Sequence, residues 1–404
     1  MGTSEAESEI RARIRDRGKV TFAEFMETAL YRGGYYSSGP LGYARGDYFT
    51  SPTVHPAFGA LIAVLLMRMW DVMERPATFH VVEMGSGTGR LARDILEYLR
   101  SLPSRFGEAL RYIAVDRAAI PRVTDEDSVL HCITSDGLPL KPLVGCVLSN
   151  ELLDAFPVNR FKIQGNAIAE CYVTLEDGEF VEVVDEPSDP ELARRIDALG
   201  ADLPDGFQGE VNLGVRPWAV EISRALRQGF VLTIDYGYES TQLYSLDRST
   251  GTLRTYHNHT QAADPYRRIG RQDLTAHVDF SAVRSEGLSA GLNSIALLTQ
   301  SQLLRALGIE TWLGRLRSKH LSQSKREANA IAMRELIRPD GLGSFKVLVQ
   351  EKRTGVSDIA VLLPTSPVDE QTPLPIPFLS DEHVDLLASR YPHAALQLEQ
   401  FWPH

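Results

Sequence analysis

Between residues 81 and 89 the chain reads Val-Val-Glu-Met-Gly-Ser-Gly-Thr-Gly, an apolar run that ends on an acid and an alternation of glycines. With no Cβ, Gly85, Gly87 and Gly89 let the backbone turn sharply and let a ligand come close to it. The amphipathic stretch that follows offers the free N–H groups of a helix N-terminus. Two ligand classes use such a turn. Dinucleotide enzymes place the third glycine one position later, where Arg90 stands, and seat a pyrophosphate on the helix end. The spacing here is G-x-G-x-G with Glu83 two residues before the first glycine, which disfavours the pyrophosphate reading.

That spacing is the pattern of methyltransferases that bind S-adenosylmethionine, a cofactor without a pyrophosphate. Two further acids fit it. Asp116 ends the next strand, where a carboxylate can accept hydrogen bonds from both ribose hydroxyls, and Asp136 follows a third strand within reach of the adenine amino group. The bland alternative is a structural glycine turn beside surface acids.

Asn150, Glu151 and Asp154 follow a fourth strand, at the carboxyl edge of the sheet where such folds bind ligands. If Leu152 and Leu153 open a helix, Glu151 and Asp154 share one face three residues apart. Two carboxylates there suit a planar guanidinium. In the competing reading Asn150 caps the helix and Glu151 only favours its dipole. Ser149-Asn150-Glu151-Leu152 lacks the Pro-Pro-aromatic run that holds a flipped base, which argues against base methylation. His277 is a candidate general base with Asp273 and Asp279 to orient it, or else a structural hydrogen-bonder. His257, His259 and His277 match no standard ligand spacing, and no metal is expected.

The elements that must hold these residues are legible around them. Residues 5–17 read as a helix, and Thr21-Phe22-Ala23-Glu24 is a capping box for a second one. A Gly- and Tyr-rich loop from 31 to 50 is too long for a plain linker, and its residues 31–49 are expected to close over the cofactor as a lid together with the apolar helix 57–73. From residue 79 short apolar strands alternate with amphipathic helices, the pattern of an α/β doubly wound parallel sheet. Strands are expected at 79–84, 112–116, 129–134, 145–150, 230–236 and 345–349, with helices at 90–99, 217–227 and 293–307. Residues 161–184 break the rhythm: Glu176-Asp177-Gly178 marks an inserted hairpin, followed by a polar stretch to 209. Residues 240–280 read as loop, and 379–404 as a peripheral helix beyond a Pro-rich section. The organisation expected is an N-terminal helical cover and lid at 1–75, a core at 76–160 and 210–352, the insertion at 161–209, and a tail at 353–404.

At 404 residues and 43% hydrophobic content the chain can bury a large core. A formal net charge of −11 repels phosphate backbones, so a nucleic-acid substrate is not expected. Cys132, Cys146 and Cys171 form no CxxC pair and read as small buried hydrophobes in a reducing compartment, and the Asn258 sequon as chance. The first residues show no signal peptide, and Ala57 to Trp70 is too short to span a bilayer, so a cytoplasmic location is expected. The oligomeric state is not encoded in any pattern found.

An ordered set of motifs adds a family. Tyr35-Tyr36, Gly46-Asp47-Tyr48-Phe49-Thr50-Ser51-Pro52, Phe58-Gly59, the glycine loop, Ser149 to Pro157, Asp235-Tyr236-Gly237, Gly251 to Tyr256 with His259, Gly270, and Asp273 to Phe280 follow one another along the chain. Together, over about residues 20–352, they resemble the MidA family, whose mitochondrial members are complex-I assembly-factor arginine methyltransferases. The resemblance implies a Rossmann-like class I methyltransferase fold, S-adenosylmethionine as cofactor, and an arginine of a partner protein as acceptor. Thr50, Ser51 and Asn150 join Glu83, the three glycines, Asp116 and Asp136 as expected cofactor contacts, with Glu151, Asp154 and His277 on the catalytic side. The chain departs from the family at Thr53 and His55, where an acid and a serine are usual, at Asp116 in place of Glu, and at Ala118 in place of Ser. The competing functions are a small-molecule O- or N-methyltransferase and a non-catalytic assembly factor.

Overall fold

The structure, a computed structural model, describes residues 3–38, 49–118, 129–138, 141–165, 167–199, 203–257, 260–262, 264–363, 374–384 and 386. Helices α1 (Glu5–Arg17) and α2 (Phe22–Tyr31) flank the short strand β1 (Val20–Thr21), and the Thr21–Glu24 capping box closes the start of α2. Strands β2 (Phe79–Met84), β3 (Leu110–Asp116), β4 (Leu130–Thr134) and β5 (Leu143–Asn150) follow. Then come β6 (Asn159–Gln164), β7 (Ala167–Glu176), β8 (Glu179–Asp185), β9 (Gln208–Val211) and β10 (Leu226–Asp235). The short strands β11 (Gly237–Tyr238), β12 (Arg254–His257), β13 (Thr260–Ala262), β14 (Asp273–Thr275) and β15 (Val278–Asp279) precede β16 (Asn293–Thr299) and β17 (Lys346–Lys352).

The central sheet has seven strands in the order β16-β17-β10-β5-β2-β3-β4. From β10 to β4 every pairing is parallel, and only β17 runs against its neighbours β10 and β16. Successive residues of a strand point to opposite faces, and both faces are covered. Val81, Cys146, Phe230 and Leu232 turn toward helices Ala57–Val72 and Arg90–Arg100, while Val82, Val147 and Val231 turn toward Trp218, Ile222, Phe280 and Val283. This is the doubly wound α/β architecture, and its strand order reverses between β2 and β5, where such sheets leave a crevice at their carboxyl ends.

The expected inserted hairpin, β7 with β8, is part of a larger antiparallel sheet that also contains β1, β6 and β9. Helices α1 and α2 pack on this second sheet through Ile10, Phe25 and Val173. Helix Ala57–Val72 instead belongs to the central core. Residues 293–299, expected as helix, form edge strand β16, and the helix begins only at Gln300. The expected loop 240–280 contains a three-stranded sheet, β13-β12-β14. Of the expected tail helix, residues 379–384 are irregular, and 387–404 lie outside the described residues, as do lid residues 39–48, Asn258 and His259. No helix among the described residues is long and apolar enough to cross a membrane.

Candidate active site

β2 delivers the chain into the glycine loop at the point where the strand order reverses. Gly85, Gly87 and Gly89 all have left-handed backbones, with φ of 70°, 53° and 71°. The N–H of Gly85 donates to the carbonyl of Val115 at 2.8 Å, tying the loop to the end of β3. A Cβ on Gly85 would lie 2.8 Å from Leu152 Cδ1, a side-chain end that could give way, so it is the left-handed backbone that favours glycine here.

Asp116 braces this loop. Its Oδ2 accepts from the Gly87 N–H at 2.8 Å and its Oδ1 from the Ala118 N–H at 2.9 Å. The sequence suggested only ribose contacts for it. Burial pushes its carboxyl above the usual range, and the backbone donors and Arg117 oppose that. Glu83 is buried, accepts from the Tyr112 hydroxyl at 2.8 Å, and is pushed up to about 8 by burial.

Glu83, Gly85, Gly87 and Asp116 line a cavity of about 850 Å³ together with Thr50, Thr53, Ser86, Asp136 and Asn150, whereas Gly89, expected as a contact, is not part of its lining. Ser86 Oγ is buried on this wall with no hydrogen-bond partner among the described residues. Asp136 stands at the rim, its side chain 90% exposed and 3.5 Å from Arg117 Nε. Tyr31, Tyr35 and Tyr36 also line it: Tyr31 and Tyr36 stack at 5.4 Å, and the Tyr36 hydroxyl donates to Asp273 Oδ1 at 2.8 Å. The cavity volume, the open backbone of the glycine loop and the orphaned Ser86 hydroxyl fit a nucleoside cofactor. Ser51, expected among the contacts, is not part of this cavity's lining; its hydroxyl donates to buried Gln300 Oε1 at 3.0 Å and its backbone N–H faces Glu151. His55 is fully buried, accepts from the Ala57 N–H at 2.9 Å, and faces Asn329 Oδ1 at 3.1 Å. Burial lowers it to about 3, so it is a neutral structural residue that fixes the start of helix Ala57–Val72.

On the far side of the crevice the expected helix after β5 is absent. A 3₁₀ turn, Leu153–Ala155, takes its place, so Asn150 caps no helix and Glu151 and Asp154 share no helical face. Glu151 itself has a left-handed backbone, φ 51°, and its N–H donates to the Ile234 carbonyl at 2.8 Å. Its Oε1 accepts from Asn150 Nδ2 at 3.0 Å, the Ser51 backbone N–H also favours the carboxylate, and its buried Oε2 makes no hydrogen bond of good geometry among the described residues. Burial and then the charge of Asp154 push its carboxyl up to about 8.

Glu151 lines the first cavity and also a second one of about 750 Å³, walled by Tyr236, Tyr238, Tyr256, His277 and Phe345. Asp154 lines neither. It is buried behind Glu151 with no salt bridge among the described residues, and burial raises its carboxyl. The His277 ring stacks on Tyr238 at 5.4 Å and meets Tyr236 edge-on at 5.3 Å. Its expected orienting acids are engaged elsewhere: Asp279 accepts from Ser240 and the Ala282 N–H, and Asp273 from Tyr36. Burial, with Arg254 and Arg248, lowers His277 to about 4.

Sequence reasoning missed Asp235, at the end of β10. Its Oδ2 accepts from the N–H groups of Leu152 and Leu153 at 3.1 and 2.9 Å, and its Oδ1 from the Tyr236 N–H at 2.9 Å. Its presence in the Asp235-Tyr236-Gly237 motif was the signal available.

The chain is similar to known proteins in sequence and in fold. The chain is 26% identical over 388 residues to the mitochondrial protein arginine methyltransferase NDUFAF7 of Rattus norvegicus, an alignment that covers 85% of this chain and 84% of the relative. The human protein of the same name is 25% identical over 384 residues, covering 84% and 82%. A superfamily member from Burkholderia thailandensis, crystallised bound to S-adenosyl-homocysteine, superposes with a TM-score of 0.75 at 26% identity, covering 89% of this chain and 95% of that one. The expected cytoplasmic location is overturned by the relatives, which are named as mitochondrial proteins in rat, mouse and human alike. A family model described as S-adenosyl-L-methionine-dependent methyltransferase matches residues 61–297, more than half of the chain. That segment contains the glycine loop, Asp116, Glu151 and Asp235, and the chain belongs to this methyltransferase family, with S-adenosyl-L-methionine as its cofactor.

Proposed function

We propose that this methyltransferase acts on an arginine guanidinium of a partner protein, with Glu151 as the residue that receives it. The observation that carries the reading is the buried, unpartnered Oε2 of Glu151 at the junction of the two cavities. A buried carboxylate without a cation is costly, and a guanidinium from outside would satisfy it. The naming of the rat and human relatives as protein arginine methyltransferases supports the same acceptor.

In this reading the glycine loop, Asp116, Asp136, Thr50 and Asn150 hold the cofactor. When bound, it supplies a methyl group already activated by its sulfonium. The chain's own residues do the rest. Glu151 orients the guanidinium toward the first cavity, and Asp154, buried behind it, adds negative potential without touching the acceptor. The rings of Tyr236, Tyr238 and His277 wall the second cavity, where flat faces suit a planar cation and exclude water. An arginine nitrogen sheds one proton as it gains a methyl, and Glu151 Oε2 takes that proton. His277, lowered to about 4, is a neutral wall in this scheme and not the base.

The test is incubation with methyl-labelled cofactor and cell extract, with mass spectrometry to locate the label. Methylarginine in a protein is the expected product. Label found only on oxygen, on lysine or on a small metabolite would overturn the reading. Glu151→Gln should spare binding of S-adenosylhomocysteine and depress transfer about 100-fold, the value of a lost charged contact.

A further inference from the structure

The turn that carries Glu151 is held from one point. Four consecutive residues after β5, Glu151 to Asp154, direct their N–H groups at the end of β10: Glu151 to the Ile234 carbonyl, and the next three to Asp235 Oδ2 at 3.1, 2.9 and 3.4 Å. Successive N–H groups converging on one oxygen form an anion-binding concavity, and here its occupant is a side chain of the protein itself. The second oxygen, Oδ1, is taken by the Tyr236 N–H. Asp235 is fully buried and lines neither cavity, so it has no surface left for acceptor or cofactor.

We infer that Asp235 is the positioning residue of the acceptor side: by gathering the turn's N–H groups it holds Glu151 in its left-handed backbone and fixes where that carboxylate points. A non-glycine residue in that conformation costs on the order of 1–3 kcal/mol and persists only where its surroundings over-determine it. At Glu151 the over-determination comes from β10. With Asp235 removed, nothing among the described contacts of Leu152 and Leu153 replaces the lost acceptor, and the turn relaxes to an ordinary backbone. Glu151 then leaves the junction between the cavities. The inference rests on Glu151 as the acceptor-side carboxylate proposed above.

The groups that face Glu151 define what a probe of it would sense. They are Asp154 on its own turn, Asp235 at the end of β10 with Tyr236 just after it, and Asp273 from β14, while His277, Glu335, Arg338, Asp340 and Lys346 share its second cavity. Glutamate labelled with ¹³C at the carboxyl carbon, in the complex with S-adenosylhomocysteine, reports Glu151 directly, its resonance assigned by its loss in Glu151→Gln.

Asp235→Asn keeps the volume and one acceptor oxygen. It should bind S-adenosylhomocysteine within about threefold of the wild type and lower the Glu151 titration midpoint by about one pH unit, as the released carboxyl leaves its buried place and water reaches it. A merely structural role would weaken cofactor binding and leave the Glu151 midpoint where it was. An unmoved midpoint in a variant that binds S-adenosylhomocysteine normally overturns the inference. Should the Asn variant bind none, Asp235→Glu, which keeps the carboxyl but reaches one methylene too far, is read in the same way. Failure of both to bind makes Asp235 a folding residue and also overturns it. Calorimetry with the capped peptide acetyl-Gly-Arg-Gly-amide keeps the two readings separate. Wild-type protein that ignores the peptide counts against the arginine acceptor, and the titration result stands.

Discussion

The backbone N–H of Gly87 donates to Asp116 Oδ2 at 2.8 Å, so the glycine loop and the end of β3 move as one unit. Gly87 also holds φ 53°, where a β-branched residue is a genuine outlier. Gly87→Val is therefore expected to abolish binding of S-adenosylhomocysteine. Asp116→Asn should weaken it by roughly tenfold to a hundredfold, the range for a lost charged hydrogen bond. Calorimetric titration of each variant checks both, and unchanged affinity in Gly87→Val would remove the cofactor from this loop.

The parts of this site that were legible in the sequence are those written locally. A buried strand, a glycine turn and an amphipathic helix stand within about twenty residues, and the acid at the end of the next strand is found by counting strands. Glu151 was found the same way, but its geometry was not. Its turn is built by Asp235, which is 82 positions from Leu153, and no local rule announces such a bond. Long-range pairing likewise hid the second sheet, where Val20 pairs with Val173. Residues 293–299 show helical spacing of apolar groups, yet they form an edge strand because β17 offers a free ladder. The second cavity could not be foreseen, since its wall joins Tyr236, His277 and Phe345 from three separate segments.

The pH dependence of transfer should report Glu151. Burial raises its carboxyl to about 8, and in the role proposed for it the ionised form would hold the guanidinium and take the proton. Activity is therefore lost as pH falls through that value, and kcat/KM should rise to a plateau above about pH 8. His277, at about 4, contributes no limb in the neutral range, so His277→Gln should leave the limb in place. A limb near the ordinary histidine value that disappears in that variant would assign the base to His277 instead.

Tyr36 offers a test of the aromatic cover that spares the fold. Tyr36→Phe keeps the stack on Tyr31 and removes the hydroxyl that donates to Asp273 Oδ1. Asp273 Oδ1 keeps the Leu274 N–H at 2.9 Å, so what is lost is one hydrogen bond of about 1 kcal/mol that ties the ring to β14. Affinity for S-adenosylhomocysteine should fall about fivefold, with the melting temperature of the free protein little changed. Wild-type affinity in this variant would show that the ring alone, without its link to Asp273, closes the cavity.

Glu151 should also cost the protein stability, in a way that depends on pH with a definite sign. Its folded carboxyl is raised to about 8 from an ordinary value of 4.5, so between those limits the native state holds a proton that the unfolded chain has released. Stability then falls as pH rises through that window, because the unfolded state binds fewer protons. Glu151→Gln keeps an oxygen to accept from Asn150 Nδ2 and carries no charge to desolvate. Near pH 5 the variant and the wild type should melt within about a degree of each other. At pH 8 the variant should melt a few degrees higher while transferring methyl groups far more slowly, the exchange of stability for activity expected of a buried functional charge. Glu83, Asp154 and Asp235 are raised by burial as well, so the wild type alone cannot separate their contributions, and the difference between the two proteins isolates Glu151. Equal melting temperatures at both pH values would mean that Glu151 stays ionised throughout in the folded protein, and the acid limb of the activity profile would then belong to another group.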